Sequence, residues 1–213
     1  MGRKKFKYVG DAAFKAFLRR YDCPAPFHVV RMRFVGWVAS PALAASPLPV
    51  IERFWPGGIP EFENGRDAAK FFELFAGLIS HVNRYQSGIR VKMAKLPKPR
   101  EVENLVGAFR IRAEEIRDGF FIGYWGDQEE AQAPEEQGAS LQELKEYAAE
   151  CDEAVAELQA LPAGDTKSAL AEYGQGLDEL TRDAERELSF LVWAAIVLRA
   201  ADLAGGESGD ESW

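Results

Sequence analysis

Apolar side chains recur at helical spacing along most of this chain, and the pattern predicts an all-α protein. The widest apolar stripe covers residues 66–85, as a central helix would need, and a second long stripe covers 101–125. Shorter helices are predicted over 11–21, 27–39 and 47–55, and later ones over 140–161, from about 166, and from 177 or 181 to 203. Prolines and glycines separate these segments. We therefore expect about seven helices in a single domain.

Capping residues locate the start of two of these helices, and the secondary structure of two segments stays ambiguous. Asn64 fits the N-cap of the central helix, and Ser140 with Glu143 forms a Ser-x-x-Glu capping box that predicts a helix start. Residues 27–39 favour a helix by their length, but their β-branched side chains leave a strand open. Residues 89–93 alternate between apolar and polar positions, so a short strand is also conceivable there.

Glycines and one apolar run carry further predictions about packing. Gly107, Gly119 and Gly123 lie inside a predicted helix, where each costs about 1 kcal/mol relative to alanine. Close helix–helix contact is the explanation we favour for them. The longest apolar run, 190–198, holds 9 residues, whereas a membrane span needs roughly 20. We interpret this run as a buried helix face and expect no membrane association.

The pattern also predicts how the chain is organised. The predicted parts are a basic N-terminal arm at 1–10, helical parts at 11–125 and 141–204, an acidic linker at 126–140, and a disordered acidic tail at 205–213. The linker leaves open whether the C-terminal helical part moves as a separate lobe. The basic N-terminus has no apolar segment after it, so a secretory signal is not predicted.

Charge is divided unevenly along the chain. Residues 1–112 carry 20 Lys and Arg against 9 Asp and Glu, whereas residues 113–213 carry 6 against 25. The net charge of −8 conceals this split. Either the two halves attract each other, or a basic face is offered to an acidic partner.

The residues that usually carry chemistry are sparse and scattered. Cys23 and Cys151 belong to no metal-spaced motif, which favours a reducing cytoplasm over a disulfide framework. His28 and His81 have no ligand cluster near them in sequence, and no phosphate-binding loop or nucleophile elbow occurs. We therefore predict no catalytic, cofactor-binding or metal-binding residues.

One basic stretch is the best candidate for contact with a partner. It contains Arg84, Arg90, Lys92, Lys95, Lys98 and Arg100. Such stretches bind nucleic acid, and Tyr85 could add stacking. The sequence pI of about 5.0 argues against this, because nucleic-acid-binding domains usually have a pI above about 9. If this stretch packs against the acidic C-terminal helices, the argument for an external partner weakens.

Two stretches carry a resemblance to a known family. Residues 39–62 combine a Ser-Pro turn, a short helix and a Trp-Pro-Gly-Gly end, and residues 115–125 predict a second helix containing glycine and aromatic residues. In the order of these elements, residues 28–203 resemble the YecA/YgfB-like family of uncharacterised bacterial proteins. The chain departs at Arg31 and Met32, where members often carry an acidic or His residue followed by Gly, and it lacks the C-terminal zinc-binding motif of longer members. The resemblance implies an all-α fold and supplies no catalytic residues.

Three functions follow from these observations, in order of preference. The first is a non-enzymatic cytoplasmic adaptor or regulator that binds another protein, because no catalytic constellation accompanies the polarised charge. The second is a nucleic-acid-associated protein that uses the basic stretch and the N-terminal arm. The third is an enzyme of unrecognised type, with carboxylates and His81 at a cleft. The sequence leaves the oligomeric state open.

Overall fold

The computed structural model describes residues 6–41, 46–126, 133–162 and 166–206, and these residues form an all-α domain. Its helices are α1 (Asp11–Arg20), α2 (Phe27–Ala39), α3 (Leu48–Glu52), α4 (Gly65–Val82), α5 (Val102–Glu114), α6 (Ile122–Trp125), α7 (Glu135–Ala160) and α8 (Thr166–Gly206). A π-helical segment, Glu115–Phe121, joins α5 to α6 without a break. Counted this way, the described residues contain seven helices, as the hydrophobic pattern predicted.

Helix α2 lies at the centre of the fold and is buried on nearly every side. It packs backbone to backbone against the π-helical segment and α6. A Cβ atom placed on Gly123 would lie 1.9 Å from the carbonyl oxygen of Arg33, and one placed on Gly36 would lie 2.0 Å from that of Phe120. Glycine is therefore required at this crossing, because any side chain would push the two helices apart.

An aromatic core fills the space between α1, α3 and α4. Phe71 and Phe75 of α4 contact Phe14 and Phe17 of α1 through mostly edge-to-face or tilted rings, with Phe14 and Phe75 centred 5.4 Å apart. Helix α4 begins where the sequence predicts, since the Asn64 side chain accepts hydrogen bonds from the backbone N–H groups of its first turn. The wide apolar stripe predicted for this helix is thus confirmed.

A second apolar cluster lies between α5, α7 and α8. The C-terminal helices also contact the first cluster. The buried Gln137 of α7 accepts a hydrogen bond from Tyr124 and donates to the carbonyl oxygens of Ala39 and Leu191, the latter at 3.2 Å. These bonds connect α7 to α2, α6 and α8 within one domain. Movement of the C-terminal helical part as a lobe stays a prediction.

Several helix boundaries differ from those predicted. The capping box at Ser140 is wrong, because α7 begins at Glu135, inside the predicted linker, and the Ser140 hydroxyl donates to Glu187 of α8 at 2.7 Å. The predicted division into one helix from about 166 and another from 177 or 181 is also wrong, since α8 is continuous across Gly174 and Gly176. Residues 127–132, at the centre of the predicted linker, lie outside the described residues.

The structure also bears on the predicted strand, the helix glycines and the basic arm. The strand at 89–93 is wrong, because those residues pair with no other strand in the described ranges. Close contact explains Gly119 and Gly123, but a Cβ atom on Gly107 would meet nothing within 4 Å. The end of the basic arm packs on α4, where a Cβ on Gly77 would lie 2.7 Å from the Lys7 carbonyl oxygen. Residues 1–5 and 207–213 lie outside the described residues.

Candidate functional site

The basic stretch 84–100 contacts α8, and two of its six candidate residues are bonded there. Lys92 Nζ donates to Glu185 Oε2 at 2.7 Å. Arg90 Nη2 donates to the backbone carbonyl of Arg182 at 2.7 Å, and its Nε lies 3.9 Å from Glu185. Part of the charge split is therefore satisfied inside the fold, which weakens the argument for a partner that needs all six cations.

The backbone of this stretch is held by side chains from the helices beside it. Val91 N–H donates to Ser189 Oγ at 2.9 Å, and Met93 N–H donates to Glu185 Oε1 at 3.1 Å. Ala94 N–H donates to Glu115 Oε1 at 2.7 Å. Glu185 and Glu115 are both buried, so these are charge-assisted hydrogen bonds in a setting shielded from water. The middle of the stretch, residues 91–94, is thereby fixed on α8 and on the π-helical segment.

The other four candidate cations are exposed but do not converge. Among the described residues, Arg84, Lys95, Lys98 and Arg100 form no ion pair. Lys95 and Lys98 line a groove of about 740 Å³ between the stretch and α8. Arg100 lines a separate groove of about 680 Å³ between α5 and the end of α7. The six residues therefore do not form one basic patch.

A buried charge cluster lies behind this stretch. Glu115 is fully buried and accepts hydrogen bonds from Arg112 Nη1 at 2.5 Å and from Arg31 Nη2 at 3.4 Å. Arg112 also donates to Thr181 Oγ1 at 2.8 Å and to the Ala94 carbonyl at 2.8 Å. Each of these groups joins a different chain segment, so the cluster fixes α2, α5, α8 and the basic stretch relative to one another.

The outward side of α8 carries a row of exposed apolar side chains. Phe190 is 38% exposed, Trp193 is 57% exposed and Val197 is 47% exposed. They stand at spacing i, i+3 and i+7, which places them on one side of the helix. Ile89, from the basic stretch, is 44% exposed and adjoins this row. We call these four residues the α8 outer face.

A slot opens between the α8 outer face and the start of the basic stretch. It encloses about 290 Å³, and Tyr85, Ile89, Phe190 and Trp193 provide its apolar walls. The Phe190 and Trp193 rings lie 5.8 Å apart between centroids. This volume lies at the low end of the range for ligand pockets, so the slot suits one large side chain better than a cofactor.

The histidines and cysteines belong to no common cluster in the described parts of the chain, although the His81 ring lies 6.2 Å from that of Tyr85, a wall of the slot. His28 Nε2 lies 2.8 Å from Glu114 Oε2. His81 stacks on Tyr8 with ring centroids 4.7 Å apart, and burial, then Arg84 and Arg31, lower the pKa of His81. Burial raises the pKa of the Cys151 thiol to about 12. Within the described parts of the chain, no group of three or more His, Cys, Asp or Glu side chains could hold a metal ion.

The fold and the site thus define a single all-α domain with an exposed apolar row on its longest helix. Comparison with known proteins adds no relative, since no protein-family model, curated protein or solved structure matches the chain. The resemblance to the YecA/YgfB-like family therefore stays a prediction. Among the described residues, no helix combines the length and the hydropathy that a membrane crossing requires.

Sequence reasoning missed the α8 outer face. The sequence predicts one buried face for the apolar run 190–198, and Leu191, Val192 and Ala195 do face the core, but the prediction gave no role to Trp193 and Val197, which face outward. The i, i+3, i+7 spacing of the exposed positions was a signal available in the sequence. It could not show that Ile89 joins them.

Proposed function

We propose that this protein is a non-enzymatic adaptor or regulator that binds another protein through the α8 outer face. The observation that carries the proposal is the contiguous exposure of Ile89, Phe190, Trp193 and Val197. Apolar side chains that adjoin one another on a surface are typical of interaction sites. Tryptophan is among the residues most enriched at the energetic centres of interfaces, and Trp193 is the most exposed of the four.

The setting of this face supports the same function. Ser189 and Glu185 hold the neighbouring backbone of Val91 and Met93, so the surface exists before a partner arrives. A preorganised surface loses less conformational entropy on binding. A cytoplasmic location and membership of the YecA/YgfB-like family are part of this proposal, resting on the unpaired cysteines and on the resemblance described above.

The alternatives have less support. Nucleic-acid binding requires cations that follow a phosphate backbone, but Arg90 and Lys92 bond to α8, and Arg100 lies on a different groove from Lys95. An enzyme that uses His81 would need a base or nucleophile beside it. The ring of His81 instead stacks on Tyr8, whose hydroxyl donates to Asp11 at 2.7 Å.

The test compares partner capture by a variant altered on the α8 outer face and a control variant altered on another face. The double variant Phe190→Ser and Trp193→Ser removes the centre of the α8 outer face. The control Phe72→Ser removes an equally exposed phenylalanine, 38% exposed, from α4. Each purified protein is immobilised and exposed to nuclease-treated lysate from cells that express the chain naturally, and the retained proteins are quantified by mass spectrometry. A retained protein is then purified and titrated against all three forms by calorimetry.

We expect a purified partner that binds the wild type and the Phe72→Ser control equally, and binds the double variant at least about tenfold more weakly. Circular dichroism of the three forms should be the same, because the altered side chains are exposed. Equal binding by the double variant would contradict the proposal, and so would capture that occurs only from lysate left without nuclease.

A further inference from the structure

We infer that the partner presents an acidic segment and inserts one large apolar side chain into the slot beside Trp193. This inference rests on the proposed function, since it names the kind of polypeptide that the α8 outer face takes. Its first support is the shape of the site. A slot of about 290 Å³ with apolar walls matches one aromatic or long aliphatic side chain, which is how a peptide anchor docks in a groove.

The second support is the charge around the slot. Arg84 and Arg182 are exposed and form no ion pair among the described residues. Arg90 lines the slot itself, with its side chain 46% exposed. Helix α8 presents Arg182 and Arg186 one turn apart on the side that continues into Phe190, since positions i and i+4 share a side of a helix.

The carboxylates near the slot are already occupied by groups of this chain. Asp183 accepts from Arg186 at 2.8 Å, and Glu187 accepts from Arg186 at 2.9 Å and from the Ser140 hydroxyl. Glu185 is buried and accepts from Lys92 and from the Met93 backbone. The cations that remain without a carboxylate, Arg84 and Arg182, adjoin residues that line the slot, since Arg84 precedes Tyr85 in the chain and the Arg182 carbonyl accepts from Arg90. Together with Arg90 they leave positive charge in excess beside the slot, on a chain whose net charge is −8.

A protein segment fits this site better than a nucleic acid does. The α8 outer face continues past the aromatic pair to Val197 and includes Ile89, and aliphatic side chains offer no stacking surface to a base. An acidic segment would satisfy both features at once, because its carboxylates meet the arginines while its anchor side chain enters the slot. Charge complementarity of this kind chiefly sets specificity and association rate.

The test uses a random twelve-residue phage-displayed peptide library, panned against the full chain and counter-selected on the Trp193→Ser variant. The recovered peptides are sequenced, and the most enriched one is synthesised and titrated by fluorescence polarisation. Its affinity is measured against the wild type, Ile89→Ser, Arg182→Glu and Lys70→Glu. Lys70 is an exposed lysine of α4, so its reversal matches the charge change of Arg182→Glu away from the slot.

We expect the recovered peptides to carry a net negative charge and one central aromatic or leucine side chain. Ile89→Ser should weaken binding about tenfold, Arg182→Glu by roughly three- to tenfold, and Lys70→Glu by less than about twofold. Added salt should weaken binding to the wild type and reduce its advantage over Arg182→Glu.

The remaining outcomes distinguish failure of the acidic-segment inference from failure of the proposed protein-binding function. Peptides that bind through Trp193 but are neutral or basic would overturn the acidic-segment inference and leave the protein-binding function standing. No enrichment over the Trp193→Ser variant would count against both. Two further results would also overturn the inference. Tighter binding of a fifteen-nucleotide oligothymidine than of the peptide would assign the slot to nucleic acid. A Trp193-dependent dimer in sedimentation would assign it to a second copy of this chain.

Discussion

The crossing of α2 over the π-helical segment and α6 makes the strongest stability prediction. Gly123→Ala places a methyl group 1.9 Å from the Arg33 carbonyl oxygen. Contacts of a real Cβ atom essentially never fall below 3.0 Å, so the two backbones must separate by about 1 Å. The obstacle is backbone rather than a side-chain end, and no rotamer change of Arg33 relieves it.

The magnitude follows from two opposing effects. Overpacking a well-packed interior costs typically 1–3 kcal/mol, and more where nothing can yield, while alanine returns about 1 kcal/mol of helix propensity. We expect Gly123→Ala to lower the free energy of unfolding by roughly 2 kcal/mol, the upper end of that range less the gain in propensity, which for a chain of this size lowers Tm by about 4–8 °C. Gly119→Ala should cost less, because its nearest neighbour, the Met32 Cβ, lies at 2.7 Å and a smaller displacement of the two helices relieves the contact.

Gly107→Ala is the matched control within the same continuous helix. A Cβ atom there meets nothing within 4 Å, so the substitution should stabilise the fold by about 0.5–1 kcal/mol. Guanidinium unfolding followed by far-ultraviolet circular dichroism and by tryptophan fluorescence gives all three values, provided that the two probes coincide. If Gly123→Ala is as stable as Gly107→Ala, the backbone-to-backbone packing described here is wrong.

Two further predictions concern buried charge. Glu115→Gln should lower the free energy of unfolding by about 3–5 kcal/mol, because Arg112 and Arg31 lose their shared carboxylate. The control Glu114→Gln should cost less than about 1 kcal/mol, because its carboxylate is 40% exposed. Similar denaturation midpoints for the two variants would contradict this prediction. Thermal stability should fall as the pH drops below 6.5, since the folded-state pKa of His81 is lowered and the unfolded chain takes up the proton first. Melts between about pH 5 and 7.5 should show a smaller decline for His81→Gln, and an unchanged decline would refute the assignment.

The helices that the sequence predicts well are those whose apolar period and end signals agree. The wide stripe of α4 follows directly after Asn64, and both the helix and its cap are present. The capping-box prediction at Ser140 failed because the Ser-x-x-Glu pattern also occurs in the interior of helices. The Ser140 hydroxyl bonds to the Glu187 carboxylate on α8 instead of capping a helix. A partner so distant in sequence cannot be read from a local pattern.

Helix α8 shows why glycine is a weaker signal in a long helix than in a short one. Gly174 and Gly176 each cost about 1 kcal/mol relative to alanine, but neither carries a conformation that ends a helix, and a Cβ atom at either would meet nothing within 4 Å. The helix extends over 41 residues and packs against α7 and α5. Packing of this kind supplies most of the stability of a helix in a protein and outweighs two unfavourable residues.

The charge split left open whether the two halves of the chain attract each other or a basic face meets an acidic partner. The structure shows which charges pair across the halves. Lys92 and Glu185, from opposite halves, are bonded at 2.7 Å, whereas Arg84 and Lys95 form no ion pair among the described residues. Exposed pairs add little to stability, so most of the remaining cations could change without loss of the fold. The cations that bind α8, Arg90 and Lys92, hold the stretch against this helix, where Ile89 lies beside Trp193. A single basic stretch therefore supplies one wall of the slot, and under our proposal its Arg90 also offers positive charge to an acidic partner.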